Sequence, residues 1–307
     1  MLLLRLYLLN FEIHQDSNLK DGRYINTAFI EKMSSVMTLK ITALLENQVF
    51  ESYKGSLIGK PGLSLFIQDN KHTILFDTGP DRSFIDNAKK LNIDLSSVTT
   101  VIISHGHFDH CGGLGFLSSD AKLIAHPDVK NERYYGWAVT KNTAIRLKKI
   151  SKDVDFDKFD AFFSKDEMHI SERFLYSGEI KKNENKQYGI IINNDGDEKY
   201  SPDFVKDEGV LIYKSTKGLI IFIGCGHRGV IDIIEYAKKI TGIEKVYAVI
   251  GGLHLRRASP FKLLEVRKYI KKENISHIYA CHCSGAWGRL WLPNAKNLST
   301  GQSIEFD

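Results

Sequence analysis

Ser104-His105-Gly106-His107-Phe108-Asp109-His110 places three imidazoles and a carboxylate within six residues, directly after the apolar run Val101-Ile102-Ile103. Imidazole nitrogen and carboxylate oxygen are donors for zinc, iron and manganese. Packed this closely, such groups repel or stand idle without a cation to share. His105 and His107 are two residues apart, so in extended chain their side chains point the same way. The chemistry is metal-assisted. Bound cations would ionise a water, whose hydroxide can attack phosphorus or a carbonyl carbon.

Other polar residues of reactive type stand where apolar, β-branched runs end. His72 to Phe76 ends at Asp77-Thr78-Gly79, and Leu219 to Ile223 at Gly224-Cys225-Gly226-His227. Val246 to Ile250 ends at Gly251-Gly252-Leu253-His254, and His277 to Ala280 at Cys281-His282-Cys283. Short apolar runs bounded by glycine read as buried strands. Loops leaving one edge of packed sheets would bring these residues together. His105, His107, His110, His227, His254 and His282 stand at such ends. His14, His72, His126, His169 and His277 do not, and read as surface or hydrogen-bonded core histidines.

This pattern, His-x-His-x-Asp-His after a strand with Asp-Thr-Gly upstream and single histidines far downstream, resembles the metallo-β-lactamase superfamily. A narrower set is similar to the branch named for 7,8-dihydropterin-6-methyl-4-(β-D-ribofuranosyl)aminobenzene-5′-phosphate synthase. It comprises Leu75-Phe76-Asp77-Thr78-Gly79, Ser104-His105-Gly106-His107, Gly224-Cys225-Gly226-His227, Gly251-Gly252-Leu253-His254-Leu255 and His282-Cys283-Ser284-Gly285. Phe174 to Ile180 and Asp207-Glu208 also look like that branch. The resemblance runs from about Met37 to the C-terminus. It implies an α/β (α+β) fold, a four-layer αββα sandwich. It implies one or two divalent metal ions, zinc first, with iron or manganese as alternatives. His105, His107 and His227 would make one site, and Asp109, His110 and His282 a second, with Asp77 orienting a ligand or loop. Asp109 and His254 are the candidate catalytic residues. The branch name implies condensation of a dihydropterin diphosphate with a ribofuranosyl aminobenzene phosphate.

One departure stands out. The superfamily usually places a bridging aspartate before the last histidine, and His254 stands there instead. Imidazole cannot bridge two metals as a carboxylate does. Either the two sites differ in affinity, one filling only with substrate, or His254 is an acid–base group near the metal. A purely structural His254 is the third option.

Strands alternate with helical periodicities. Phe84, Ile85, Ala88 and Leu91 form one apolar stripe after a capping Asp81. Val230, Ile233, Ile234, Ala237 and Ile240 form another, and Ser259-Pro260 opens a third helix. Residues 127–205 are less regular and read as an insertion, a lid or a surface excursion, in a domain spanning 37–307. Residues 1–36 read as an appendage ahead of a second start at Met37.

The composition, 43% hydrophobic, suffices for a full core. The chain lacks an apolar run of about 18 residues, so no membrane partner is expected. The net charge of +5 comes mostly from scattered lysines without a basic, aromatic-interleaved stripe, which argues against nucleic acid. Cys111, Cys225, Cys281 and Cys283 argue for a reducing, cytoplasmic compartment. They could ligate metal, but the simpler reading, small buried residues in tight corners, is preferred. Arg228 after His227, and Arg256-Arg257 after His254, suit a phosphate oxyanion. At least one of these arginines should be a surface residue. Three functions follow: a metal-dependent enzyme on a phosphorylated or pterin-like small molecule; a general metallo-hydrolase such as a phosphodiesterase or lactonase; and a non-catalytic metal- or ligand-binding module. The sequence does not fix the oligomeric state.

Overall fold

A computed structural model describes residues 38–118, 120–181, 186–193 and 199–307. The appendage read at residues 1–36 lies outside them. Two large sheets pack face to face. The first has seven strands, in the order Ser303–Phe306 (β17), Leu39–Leu45 (β1), Ser64–Gln68 (β2), Thr73–Phe76 (β3), Thr100–Ile102 (β4), Lys122–Ala125 (β5) and Asp160–Phe163 (β8). The second has six: His277–Cys281 (β16), Val246–Gly252 (β15), Gly218–Ile223 (β14), Leu211–Ser215 (β13), Phe174–Tyr176 (β10) and Met168–His169 (β9). Pairing is parallel from β3 through β4 and β5 to β8, and from β14 through β15 to β16.

The helices cover the outer faces. Ser83–Lys90 (α1) and the single turn Phe108–Cys111 (α2) belong to the first half, and Val230–Thr241 (α3), Pro260–Lys272 (α4) and Gly285–Trp291 (α5) to the second. Three apolar clusters fill the spaces between layers. Ile41, Phe76, Phe174, Phe222 and Ile250 meet between the sheets. Ile221, Ile234, Val249 and Val266 join α3 and α4 to the second sheet. Leu75, Phe84, Val101 and Leu123 join α1 to the first. This is the four-layer αββα sandwich. β1 is buried on both faces at six of its seven positions rather than alternating, because helix and sheet cover it from opposite sides.

Local signals set the helix ends. The Ser259 hydroxyl accepts from the Lys262 N–H with Pro260 at the first position. Asp81 accepts from the Ser83 N–H just before α1. α3 closes on Gly242 in the left-handed conformation. The irregular stretch 127–205 divides three ways. Glu132–Thr140 (β6) and Thr143–Lys149 (β7) pair with Gly189–Ile192 (β11) and Tyr200–Asp203 (β12) in a separate four-stranded sheet, ordered β12-β11-β6-β7. β8 joins the first large sheet, and β9 and β10 the second. No described helix is long and apolar enough to cross a membrane.

Candidate metal centre

Parallel strands send their C-terminal loops to one edge, where open α/β sheets build their sites. Asp77 follows β3, residues 104–110 follow β4, and residues 224–228, 253–257 and 282–283 follow β14, β15 and β16. At three of these exits the backbone is left-handed at a non-glycine residue: Asp77 (φ 58°), His254 (φ 51°) and His282 (φ 49°). Such backbone strain concentrates at functional sites.

The expected ligands converge. Ring centroids of His105, His107 and His227 lie 4.6, 4.9 and 5.0 Å apart, pair by pair. His110 and His282 lie 5.0 Å apart, with Asp109 Oδ2 3.3 Å from His282 Nε2. The two groups abut, since His105 and His110 rings are 4.3 Å apart. Nε2 of His110 and both ring nitrogens of His227 are buried without a hydrogen-bond partner. Buried polar atoms are rarely left so. Orphaned imidazole nitrogens beside a carboxylate fit a divalent cation.

Asp77 orients a ligand from each group. Its Oδ2 accepts from His110 Nδ1 at 2.7 Å and from the Ser104 hydroxyl at 2.8 Å, and its Oδ1 accepts from the Ser104 N–H at 2.7 Å. The Ser104 oxygen in turn lies 2.9 Å from His105 Nδ1 and accepts its proton. Both rings thus turn Nε2 toward the centre, and His105 Nε2 comes 3.1 Å from His107 Nδ1. Gly224 permits this packing, since a Cβ there would stand 2.1 Å from the Ser104 hydroxyl.

Burial and the neighbouring imidazoles hold His105 and His227 well below the ordinary histidine value. Burial also opposes charge on His110, but Asp77 overcomes it and raises His110 to about 9. Asp109 sits below the usual carboxylate range, because His282 and His110 outweigh its burial.

A further shell comes from residues distant in sequence. Asp207 Oδ2 accepts from the Gly106 N–H, between the first two histidines, at 2.7 Å. The buried Arg133 on β6 bridges Asp207 (2.9 Å) and Asp203 (3.2 Å), and Asp203 lies 3.8 Å from His107 Nε2. Glu208 accepts from the N–H groups of Cys225, Gly226 and Arg228, which fixes the loop carrying His227. Arg133 and Asp203 have no local signal in sequence.

A cavity of about 960 Å³ opens over the centre. His107, Asp109, His227, His254 and His282 line it together with Arg256, Arg257 and Lys262. Arg256 and Arg257 are exposed. Arg228 is buried and donates to the carbonyls of Ile180 and Phe204, so it ties the His227 loop to β12 as well as lining the cavity. His254 belongs to neither imidazole group. It is half-buried, 4.5 Å from the His227 ring.

Some histidines and cysteines depart from expectation. His126 does end a strand, β5, but its Nδ1 accepts from the Asp128 N–H and its Nε2 lies 3.6 Å from Glu179, so it is a core histidine near carboxylates. His72 pairs with Asp69, His169 is exposed, and His277 begins β16 rather than ending it. His14 lies outside the described residues. Cys111 and Cys281 are buried core thiols, each pushed up to about 12 by burial. Cys225 and Cys283 instead line the cavity, their sulfurs 3.1 Å apart.

A family model for the metallo-beta-lactamase superfamily matches residues 57–238. A curated relative from Methanocaldococcus jannaschii, named 7,8-dihydropterin-6-methyl-4-(beta-D-ribofuranosyl)-aminobenzene-5'-phosphate synthase, is 32% identical, over 82% of this chain and 90% of its own length. An uncharacterized protein of the same organism is 29% identical, over 80% of this chain and 90% of its own. Among solved structures, Tm1679, described as a metal-dependent hydrolase of the beta-lactamase superfamily, superposes with a TM-score of 0.73 at 23% identity, covering 88% of this chain and 99% of that one. That likeness shows the fold, and the sequence matches carry the kinship: the chain belongs to the metallo-beta-lactamase superfamily.

Proposed function

We propose that the chain is a metal-dependent enzyme acting on a phosphorylated or pterin-like small molecule at the cavity above the imidazole cluster. The observation that carries this reading is the buried, unpartnered set of ring nitrogens beneath a cavity with a basic mouth. His105, His107 and His227 would hold one divalent ion, and Asp109, His110 and His282 a second. Zinc is the first choice, and iron or manganese would suit the same donors. Such ions supply Lewis acidity and an ionised water, or hold a diphosphate leaving group.

The protein's own groups do the rest. Asp77, directly and through Ser104, fixes the tautomers of His110 and His105. Asp207 and Glu208 clamp the backbone of the two ligand loops. Five basic residues line the cavity (Lys186, Arg228, Arg256, Arg257 and Lys262) against three acidic ones (Asp109, Asp232 and Glu265). That excess favours an anionic substrate. His254, half-buried at the cavity wall, can exchange a proton with a substrate held there.

The relative named as a 7,8-dihydropterin-6-methyl-4-(beta-D-ribofuranosyl)-aminobenzene-5'-phosphate synthase supports a pterin-type product, and the substrates we propose are a dihydropterin diphosphate and a ribofuranosyl aminobenzene phosphate. The test is to supply both to purified, metal-loaded protein, beside a panel of phosphodiesters and lactones. Formation of the joined pterin with release of diphosphate, abolished by chelator, is expected. Turnover of the ester panel alone would assign a general metallo-hydrolase. No turnover of any substrate would leave a binding module.

A further inference from the structure

The cavity floor holds a second kind of donor. Three groups of described residues bring their ligand atoms within 4.8 Å of one another: His105, Cys225 and His227; His110, Cys225 and His282; and Cys225, His254 and Cys283. Cys225 is common to all three. Among the described residues, its sulfur is the one atom grouped with imidazoles of both halves of the centre. Cys283 shares a group only with Cys225 and His254, and its sulfur already accepts from the His254 N–H at 3.2 Å and lies 3.0 Å from the Cys225 carbonyl.

We infer that the Cys225 sulfur is the ligand shared by the two cation sites, in the bridging role for which no aspartate is present. The inference rests on the metal-dependent reading above and goes beyond it by assigning a soft donor to a centre otherwise built of nitrogen and oxygen. Thiolate sulfur binds zinc at about 2.3 Å and has lone pairs for two metals, whereas a metal-binding imidazole nitrogen has one. Two cations about 3.5–4 Å apart can share such an atom. As the sulfur–metal bonds form, the thiol proton leaves to solvent.

The backbone supports the placement. The Cys225 N–H donates to the buried Glu208, so the residue is held at the loop that also presents His227. Gly252 permits the approach of the strand exits. A Cβ on it would stand 2.8 Å from the Cys283 sulfur and 3.0 Å from Cys225 Cα. The Cys225 side of the centre is buried, and its sulfur lies 3.7 Å from His254 Nδ1. His254 therefore adjoins the bridging position without occupying it, which leaves its ring for the substrate.

Cadmium-113 nuclear magnetic resonance of the unsubstituted protein, loaded under reducing conditions with cadmium content read alongside, tests this directly. Two bound ions, both with resonances shifted downfield by sulfur coordination, are expected. Cys283→Ser should retain both shifts. Cys225→Ser should lose them and drop toward one ion per chain, and Cys225→Asp should restore two ions without the sulfur shift. One shifted resonance of two would make Cys225 a terminal ligand and overturn the bridge. Two unshifted resonances, or a single bound ion, would overturn it as well. All of these leave the metal-dependent reading standing, whereas a protein that binds no cadmium, cobalt or zinc would refute both.

Discussion

Replacing Arg133 with methionine tests the buried support of the first ligand group. Arg133 is 1% exposed, and its two partners, Asp203 and Asp207, are fully buried. Methionine keeps much of the volume and removes the charge. Breaking a buried pair by deleting one partner costs about 3–5 kcal/mol, because the other charge is left uncompensated. For a chain of this size each kcal/mol moves the melting temperature by about 2–4 °C, so the metal-free variant should melt roughly 6–20 °C lower at neutral pH. Acid supplies a second check. Burial pushes Asp203 up, but His107 and Arg133 hold it below the ordinary carboxylate value. Asp203 thus contributes stability above its unfolded pKa that is lost as pH falls through its lower folded value. Burial raises Asp207 despite Arg133, so its cost grows as pH rises through its folded pKa. Without Arg133 both carboxylates would be raised. The deficit of the variant should then be largest at neutral pH and narrow on acidification, as the buried acids take protons. Differential scanning calorimetry of both proteins across this range is the assay. A loss below about 1 kcal/mol, or one independent of pH, would refute the reasoning.

Asp77→Asn keeps the shape of the residue but removes the charge that Ser104 and His110 share. Metal affinity, measured by competition with a chelator, should fall about 10–100-fold, and an unchanged affinity would show that Asp77 does not orient the ligands. Gly224→Ala would press a methyl group to within 2.1 Å of the Ser104 hydroxyl. It should destabilise the metal-free protein by about 1–3 kcal/mol in urea unfolding, and an unshifted midpoint would mean that the loop yields freely.

The sequence displayed the ligand cluster because its spacing is local. His105, His107, Asp109 and His110 sit on one short segment after β4 that runs into α2, and His227 and His282 each follow a readable apolar strand. The support around them was not legible in the same way. The hydrogen bond from Gly106 to Asp207 spans 101 positions, and Arg133 reaches it from β6, an interior strand of the separate four-stranded sheet. No periodicity within a single segment reports such a pairing. Asp207-Glu208 stood out as acids before a strand, but only the fold shows that one carboxylate clamps the His105–His107 loop and the other the His227 loop. The division among the cysteines is hidden for a related reason. Two fill core space, and two meet across the strand exits of β14 and β16, which sequence distance conceals.

The left-handed backbone at Asp77, His254 and His282 bears on the role of His254. A non-glycine residue held there costs about 1–3 kcal/mol, and it persists only where the surrounding structure over-determines it. At Asp77 and His282 that strain turns a side chain into the centre immediately after a strand. His254 carries the same strain at the third exit, yet its ring joins neither imidazole group and faces the cavity. Packing of the ring gives little account of the cost, because it is half-buried and meets Tyr188 edge-on and His227 at a tilt rather than the core, while its N–H donates to the Cys283 sulfur. A residue kept in a costly conformation with its ring at the cavity wall is consistent with the proton-transfer role proposed for it. That argument stands whether the two cations share the Cys225 sulfur or not.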